Sequence, residues 1–83
     1  MGIYTPIQAW LVRQPKNINK IPATFEQIES ILRHNLPATA RRKAQWWENN
    51  PIGHPQAVAW LATGFETQDV SISNETVTFN RVR

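Results

Sequence analysis

The stretch Thr-Gln-Asp-Val-Ser-Ile-Ser-Asn-Glu-Thr-Val-Thr-Phe-Asn-Arg-Val, residues 67–82, decides the fold. Val70 and Ile72 alternate with polar neighbours, and so do Val77, Phe79 and, at the end, Val82. A period of two places alternate side chains on one face of a strand. Ser73-Asn74-Glu75 lies between the two runs and can make the turn, so a β-hairpin is expected. An isolated hairpin is marginal in water. This one must therefore pack on helices or pair with a further extended segment.

Upstream the period changes to that of helices. Thr5-Pro6 reads as a helix start, with Thr as N-cap and Pro in the first turn, and Ile7, Trp10 and Leu11 recur at i, i+3 and i+4. A short helix is expected over residues 5–14. Pro15 to Asn19 break it, and Ile18, Ile21 and Ala23 suggest a short extended piece that could join the hairpin. Thr24-Phe25-Glu26-Gln27 matches a capping box and starts a second helix, with Phe25, Ile28, Ile31 and Leu32 inward and an end near His34. His34 itself reads as a cation compensating the helix dipole.

After Leu36-Pro37, a third helix is expected over residues 38–49, with Ala40, Ala44 and Trp47 as its core stripe. Asn50-Pro51-Ile52-Gly53 is a turn. His54-Pro55 opens a fourth helix that turns Ala57, Val58, Trp60 and Leu61 inward and is closed by Gly64. The expected fold is a small single α+β domain over residues 1–83: three to four short helices packed on a C-terminal β-hairpin or three-stranded antiparallel sheet.

Bulk properties narrow the chemistry. Eighty-three residues make one domain with a thin core, and the absence of cysteine removes disulfides and thiolate sites. Small scaffolds without staples often gain stability by associating, so a homo-oligomer is expected. Nine basic against six acidic side chains give a net charge of +3, which favours anionic partners. No segment approaches the roughly eighteen apolar residues needed to cross a bilayer, and the N-terminus has no secretion-signal pattern. A soluble cytoplasmic protein without membrane partners is expected.

The densest chemistry is Arg41, Arg42 and Lys43 followed by Trp46 and Trp47, then Asn49, Asn50, His54 and Gln56. Adjacent indoles on a helix point about 100° apart, so a single core stripe cannot hide both. With Trp47 on the core stripe, Trp46 falls on the flank, one turn above Arg42 and Lys43. An accessible indole can stack on a nucleobase, worth roughly 1–3 kcal/mol, while the cations take phosphate. The candidate ligand-binding set is therefore Arg41, Arg42, Lys43, Trp46, Trp47, Asn49, His54 and Gln56. The plain alternative is a surface cation–π pair on a solvated helix, with His54 capping its own helix. Six dispersed carboxylates and two distant histidines form neither a catalytic set nor a metal motif, and no cofactor is expected.

The segments Thr24 to Leu32, Leu36 to Arg41, Trp46 to Asn49, His54 to Phe65 and Val77 to Phe79 carry a resemblance. Together they resemble a largely uncharacterised family of short bacterial, archaeal and phage domains with the pattern TFExIExIL, LPx[ST]AR, WWxN, HPQAxAWL and VTF. Phe65 stands where the family often has Trp, and Ile52-Gly53 is extra before His54. The resemblance extends, more loosely, to phage sponge proteins that sequester cyclic nucleotide immune signals in the host cytoplasm as anti-defence factors. It implies a non-enzymatic, oligomeric binder of a cyclic dinucleotide or related nucleotide. A DNA- or RNA-binding accessory domain and a protein-interaction module anchored by the tryptophans stand as alternatives.

Overall fold

The computed structural model describes residues 2–83. Helix α1 is Thr5–Val12, strand β1 is Lys20–Thr24, and helix α2, Phe25–Leu32, follows without a loop. Helix α3, Ala38–Arg42, leads into one 3₁₀ turn, Ala44–Trp47. Helix α4, Pro55–Leu61, then feeds the hairpin of β2, Phe65–Ser71, and β3, Thr76–Arg81. The sheet is antiparallel with order β1-β3-β2, so the extended piece before Thr24 does join the hairpin, on the far side of β3.

Alternation sets the two faces of this sheet. Ile21 and Ala23 of β1, Phe65 and Thr67 of β2, and Val77 and Phe79 of β3 are buried under the helices. Ile21, Phe79 and Thr67 sit side by side across the three strands. Lys20, Pro22, Thr24, Thr76, Thr78 and Asn80 occupy the intervening positions and are exposed or half-buried. The helices contribute Ile7 and Leu11, then Phe25, Ile28 and Leu32, and finally Ala57, Ala59 and Trp60 to the same core.

The capping box forms as the sequence implies. Thr24 Oγ1 accepts from the Gln27 amide at 3.0 Å, and the Thr24 amide donates to Gln27 Oε1 at 2.8 Å. At the other end of α2, Arg33 adopts φ 64° and donates its amide to the Glu29 carbonyl. The helix thus stops before His34, which lies exposed against the edge of Tyr4. Helix α1 is also shorter than residues 5–14. Tyr4, not Thr5, takes the N-cap place without a side-chain bond, and the helix ends before the Pro15 ring can clash with it.

The largest departure from expectation is the third helix. Residues 38–49 do not form one rod: Lys43 is extended, at φ −131° and ψ 120°. In a continuous helix the Ala40 carbonyl would accept from the amide of residue 44. Here it accepts from the Trp47 indole Nε1 at 2.9 Å. Swinging Trp47 into the core satisfies its buried donor at the cost of the helix. Ala44, expected inside, is consequently exposed. In α4 the inward set is likewise shifted: Val58 is 48% exposed, while Gln56 and Ala59 are buried.

Both sheet edges are blunted. The amide of Phe25 bonds the Glu75 carbonyl and that of Arg81 bonds the Asn19 carbonyl, so odd-numbered residues of β1 face β3. Pro22 therefore sits where the missing N–H would have pointed outward, removing a donor from the free edge. On β2, a bulge between Gln68 and Ser71, with Asp69 at φ 52°, interrupts the ladder. Thr24→Ala removes the cap of α2 and is expected to lower stability by about 1 kcal/mol in urea denaturation. An unchanged midpoint would show that packing alone holds the helix.

Candidate functional site

The cationic and aromatic run 41–56 divides into residues that hold the fold and residues that remain free. Arg41 belongs to the first group. Its guanidinium bonds Glu29 on α2 at 2.7 Å and Glu75 in the hairpin turn at 2.5 Å. The same group lies 6.0 Å from the centre of the Phe25 ring. Arg41 thereby ties α2, α3 and the hairpin turn together, and its charge is already matched twice over.

Trp47 is 1% exposed, with one ring neighbour stacked at 4.9 Å (Phe25) and another at 6.2 Å (Trp60). Core aromatics occupy the space a base would need, so Trp47 is unavailable for stacking on a ligand. Asn49 is a structural joint. Its Oδ1 accepts from Trp60 Nε1 at 2.9 Å and from the Thr67 amide at 2.9 Å. Its Nδ2 donates to the Thr67 carbonyl at 3.0 Å. One side-chain amide thus copies what a neighbouring strand would offer the free edge of β2. Thr67 Oγ1 also donates to the Trp47 carbonyl. Gln56, 4% exposed, donates from Nε2 to the Trp46 carbonyl at 3.0 Å and locks the 3₁₀ turn to α4.

Four of the eight candidates make no side-chain hydrogen bond or ion pair to the fold among the described residues. Arg42 and Lys43 are exposed, and neither has a carboxylate within 4.0 Å among the described residues. Trp46 is half-buried, held by edge contacts to Tyr4 at 5.8 Å and Trp47 at 4.7 Å. His54 is half-buried at the N-cap of α4, where its carbonyl accepts from Ala57 and Val58. Its ring makes no capping bond, so the side-chain cap anticipated for it does not form. The helix break changes the geometry among these groups. Lys43 and Trp46 are joined across the 3₁₀ turn by the Trp46 amide bonding the Lys43 carbonyl at 3.2 Å.

Thr67 and the Ala40 carbonyl escaped the sequence reading. The available signal was chemical rather than periodic: each buried indole carries one donor that needs an acceptor. Asn49 answers Trp60, and Ala40 answers Trp47. Among the described residues, no three His, Asp or Glu side chains converge as a metal-ligating group.

The Glu29 carboxyl is held below the ordinary carboxylate range. The Leu36 amide donating to its Oε2 at 2.8 Å is the main cause, with burial opposing and the Arg41 guanidinium adding to the fall. A lowered native pKa stabilises the fold fully above the unfolded glutamate value of about 4.3, and that contribution disappears as pH drops through the native value. Acid melts of the parent should therefore steepen below about pH 4.3 relative to Glu29→Gln. Parallel curves would remove Glu29 as a source of acid sensitivity.

Asn49→Ala strands the Trp60 and Thr67 donors and should cost at least about 2 kcal/mol by chemical denaturation. Asn50→Ala, which loses only a turn bond to the Ile52 amide, should cost less than about 1 kcal/mol. Equal losses would contradict the structural role given to Asn49.

No curated protein and no solved structure matches the chain. A family model, Domain of unknown function (DUF7662), matches residues 4–82 and spans every motif quoted above. The pattern of Trp-Trp-x-Asn followed by Gln56 and Trp60 is, in this fold, the set of side chains that closes the core. On a match over nearly its whole length, the chain belongs to the family Domain of unknown function (DUF7662).

Proposed function

We propose that the protein is a non-enzymatic nucleotide-binding protein that sequesters a cyclic dinucleotide or related nucleotide signal. The surface concerned carries Arg42, Lys43, Trp46 and His54. The observation behind the reading is the exposed Arg42–Lys43 pair, with no carboxylate within 4.0 Å among the described residues and one 3₁₀ turn from a half-exposed indole. Arg supplies a planar fork and Lys a point charge for phosphate oxygens, while the accessible part of Trp46 offers apolar surface to a base. A non-catalytic role is supported by the engagement of Glu29 and Glu75 with Arg41 and by the dispersal of the other carboxylates.

In this reading copies of the chain associate, as phage sponges do, and the ligand lies where they meet. Exposed Ile3, Ile52 and Val58 supply apolar surface for association. A small site taking two phosphates differs from a nucleic-acid interface in its response to salt. Six to ten phosphate contacts would lose about 10³–10⁵ in affinity between 50 and 200 mM salt.

Titration calorimetry with a panel of cyclic dinucleotides and cyclic mononucleotides tests the reading, at two salt concentrations and alongside single-stranded oligonucleotides. Binding should appear with shallow salt dependence. The exposed double substitution Arg42→Gln/Lys43→Gln should weaken it at least about tenfold with no loss of fold. Silence across the panel sinks the proposal, and steep salt dependence on oligonucleotides transfers the function to nucleic-acid binding.

A further inference from the structure

A separate groove runs between α1 and α2, with a volume of about 520 Å³. From α1 it is lined by Pro6, Ala9, Trp10 and Arg13, and Ser30 and Arg33 are among the lining residues from the α2 side. The α1 positions fall at i, i+3, i+4 and i+7, a single stripe about 10 Å long. This stripe lies beside the one formed by Ile7 and Leu11, which is buried. Helix α1 therefore presents a second, mixed side, of which Trp10 alone also packs against the core.

Among the described residues, Trp10 Nε1, the Ser30 hydroxyl and the guanidiniums of Arg13 and Arg33 make no hydrogen bond or ion pair. The remaining arginines apart from Arg42 behave differently: Arg41, Arg81 and Arg83 each bond protein oxygens. No carboxylate lines the groove, and Glu26, one turn before Ser30 on α2, lies outside it. Trp10 is half-buried and steadied by an edge contact to Phe79 at 5.8 Å.

We infer that this groove is a second binding site, taking a planar aromatic ligand that carries phosphate, the size of one nucleotide. Its volume falls in the usual range for small-ligand sites, about 300–1,000 Å³. The stripe is long enough for one base and its phosphate and far too short for a duplex. The indole supplies the ring contact and the two guanidiniums the anion contacts. Arg13 and Arg33 also follow the last residues of α1 and α2, where cations offset the helix dipole. That role alone would leave the groove indifferent to ligand.

The four indole N–H groups give separate signals in a ¹⁵N correlation spectrum, and Trp10→Phe and Trp46→Phe identify two of them. Titration with adenosine 5′-monophosphate should move the Trp10 signal, whatever happens at Trp46. Adenosine and inorganic phosphate should each move it far less. Arg13→Gln and Arg33→Gln should weaken the response at least about tenfold apiece. Movement of Trp46 alone would overturn this site while leaving the Arg42–Lys43 surface intact. A Trp10 signal that stays still, that answers phosphate as strongly as the nucleotide, or that survives both arginine substitutions unchanged would equally overturn it.

Discussion

The structure depends on finding acceptors for the two indole N–H groups of buried tryptophans. Trp47 and Trp60 stack on one another at the centre, and each brings one donor with it. An unpaired donor there would cost about 1–3 kcal/mol, a large share of what a domain this size has in reserve. Trp47 takes the Ala40 carbonyl and thereby breaks the helix that its own segment would have continued. Trp60 takes Asn49, whose amide at the same time closes the free edge of β2. One side chain thus links core packing, helix termination and edge protection.

That arrangement accounts for how the cations are used. Breaking the helix at Lys43 leaves Arg41 on the last turn of α3, within reach of both Glu29 and Glu75. The clamp spans α2 and the hairpin turn, two elements far apart in sequence. With side chains partly open to solvent, its worth lies in positioning more than in net stability. Arg42 and Lys43, next in the chain, have no carboxylate within 4.0 Å among the described residues. Three consecutive basic residues therefore have unlike roles, which charge counting alone treats as one patch.

A chain without cysteine, and so without disulfides, must also control its edges. Pro22 on β1 and the Asn49 amide on β2 leave little for a third party to pair with by strand addition. The half-buried indoles lie on the helical side and its flanks. There Trp46 and Trp10, both half-buried, each stand near cations that make no side-chain bond to the protein among the described residues.

The period of two in residues 67–82 and the Thr24–Gln27 capping box were enough to place the hairpin, the start of α2 and the α+β class. Those features are local: alternation and capping act within a few residues, so their signal survives in one dimension. Trp47 does lie in the core, but not through the helical stripe of Ala40, Ala44 and Trp47, which the break at Lys43 removes. The break at Lys43, the burial of Gln56, the edge-mimicking role of Asn49 and the ion pairs of Arg41 came only with tertiary structure. Each turns on a partner between ten and thirty-four residues away in the chain, or on a carbonyl contested between an amide and an indole. Helical periodicity assumes that residue 44 wins the Ala40 carbonyl. A buried indole wins it instead, because an exposed amide can turn to water and a donor in the core cannot.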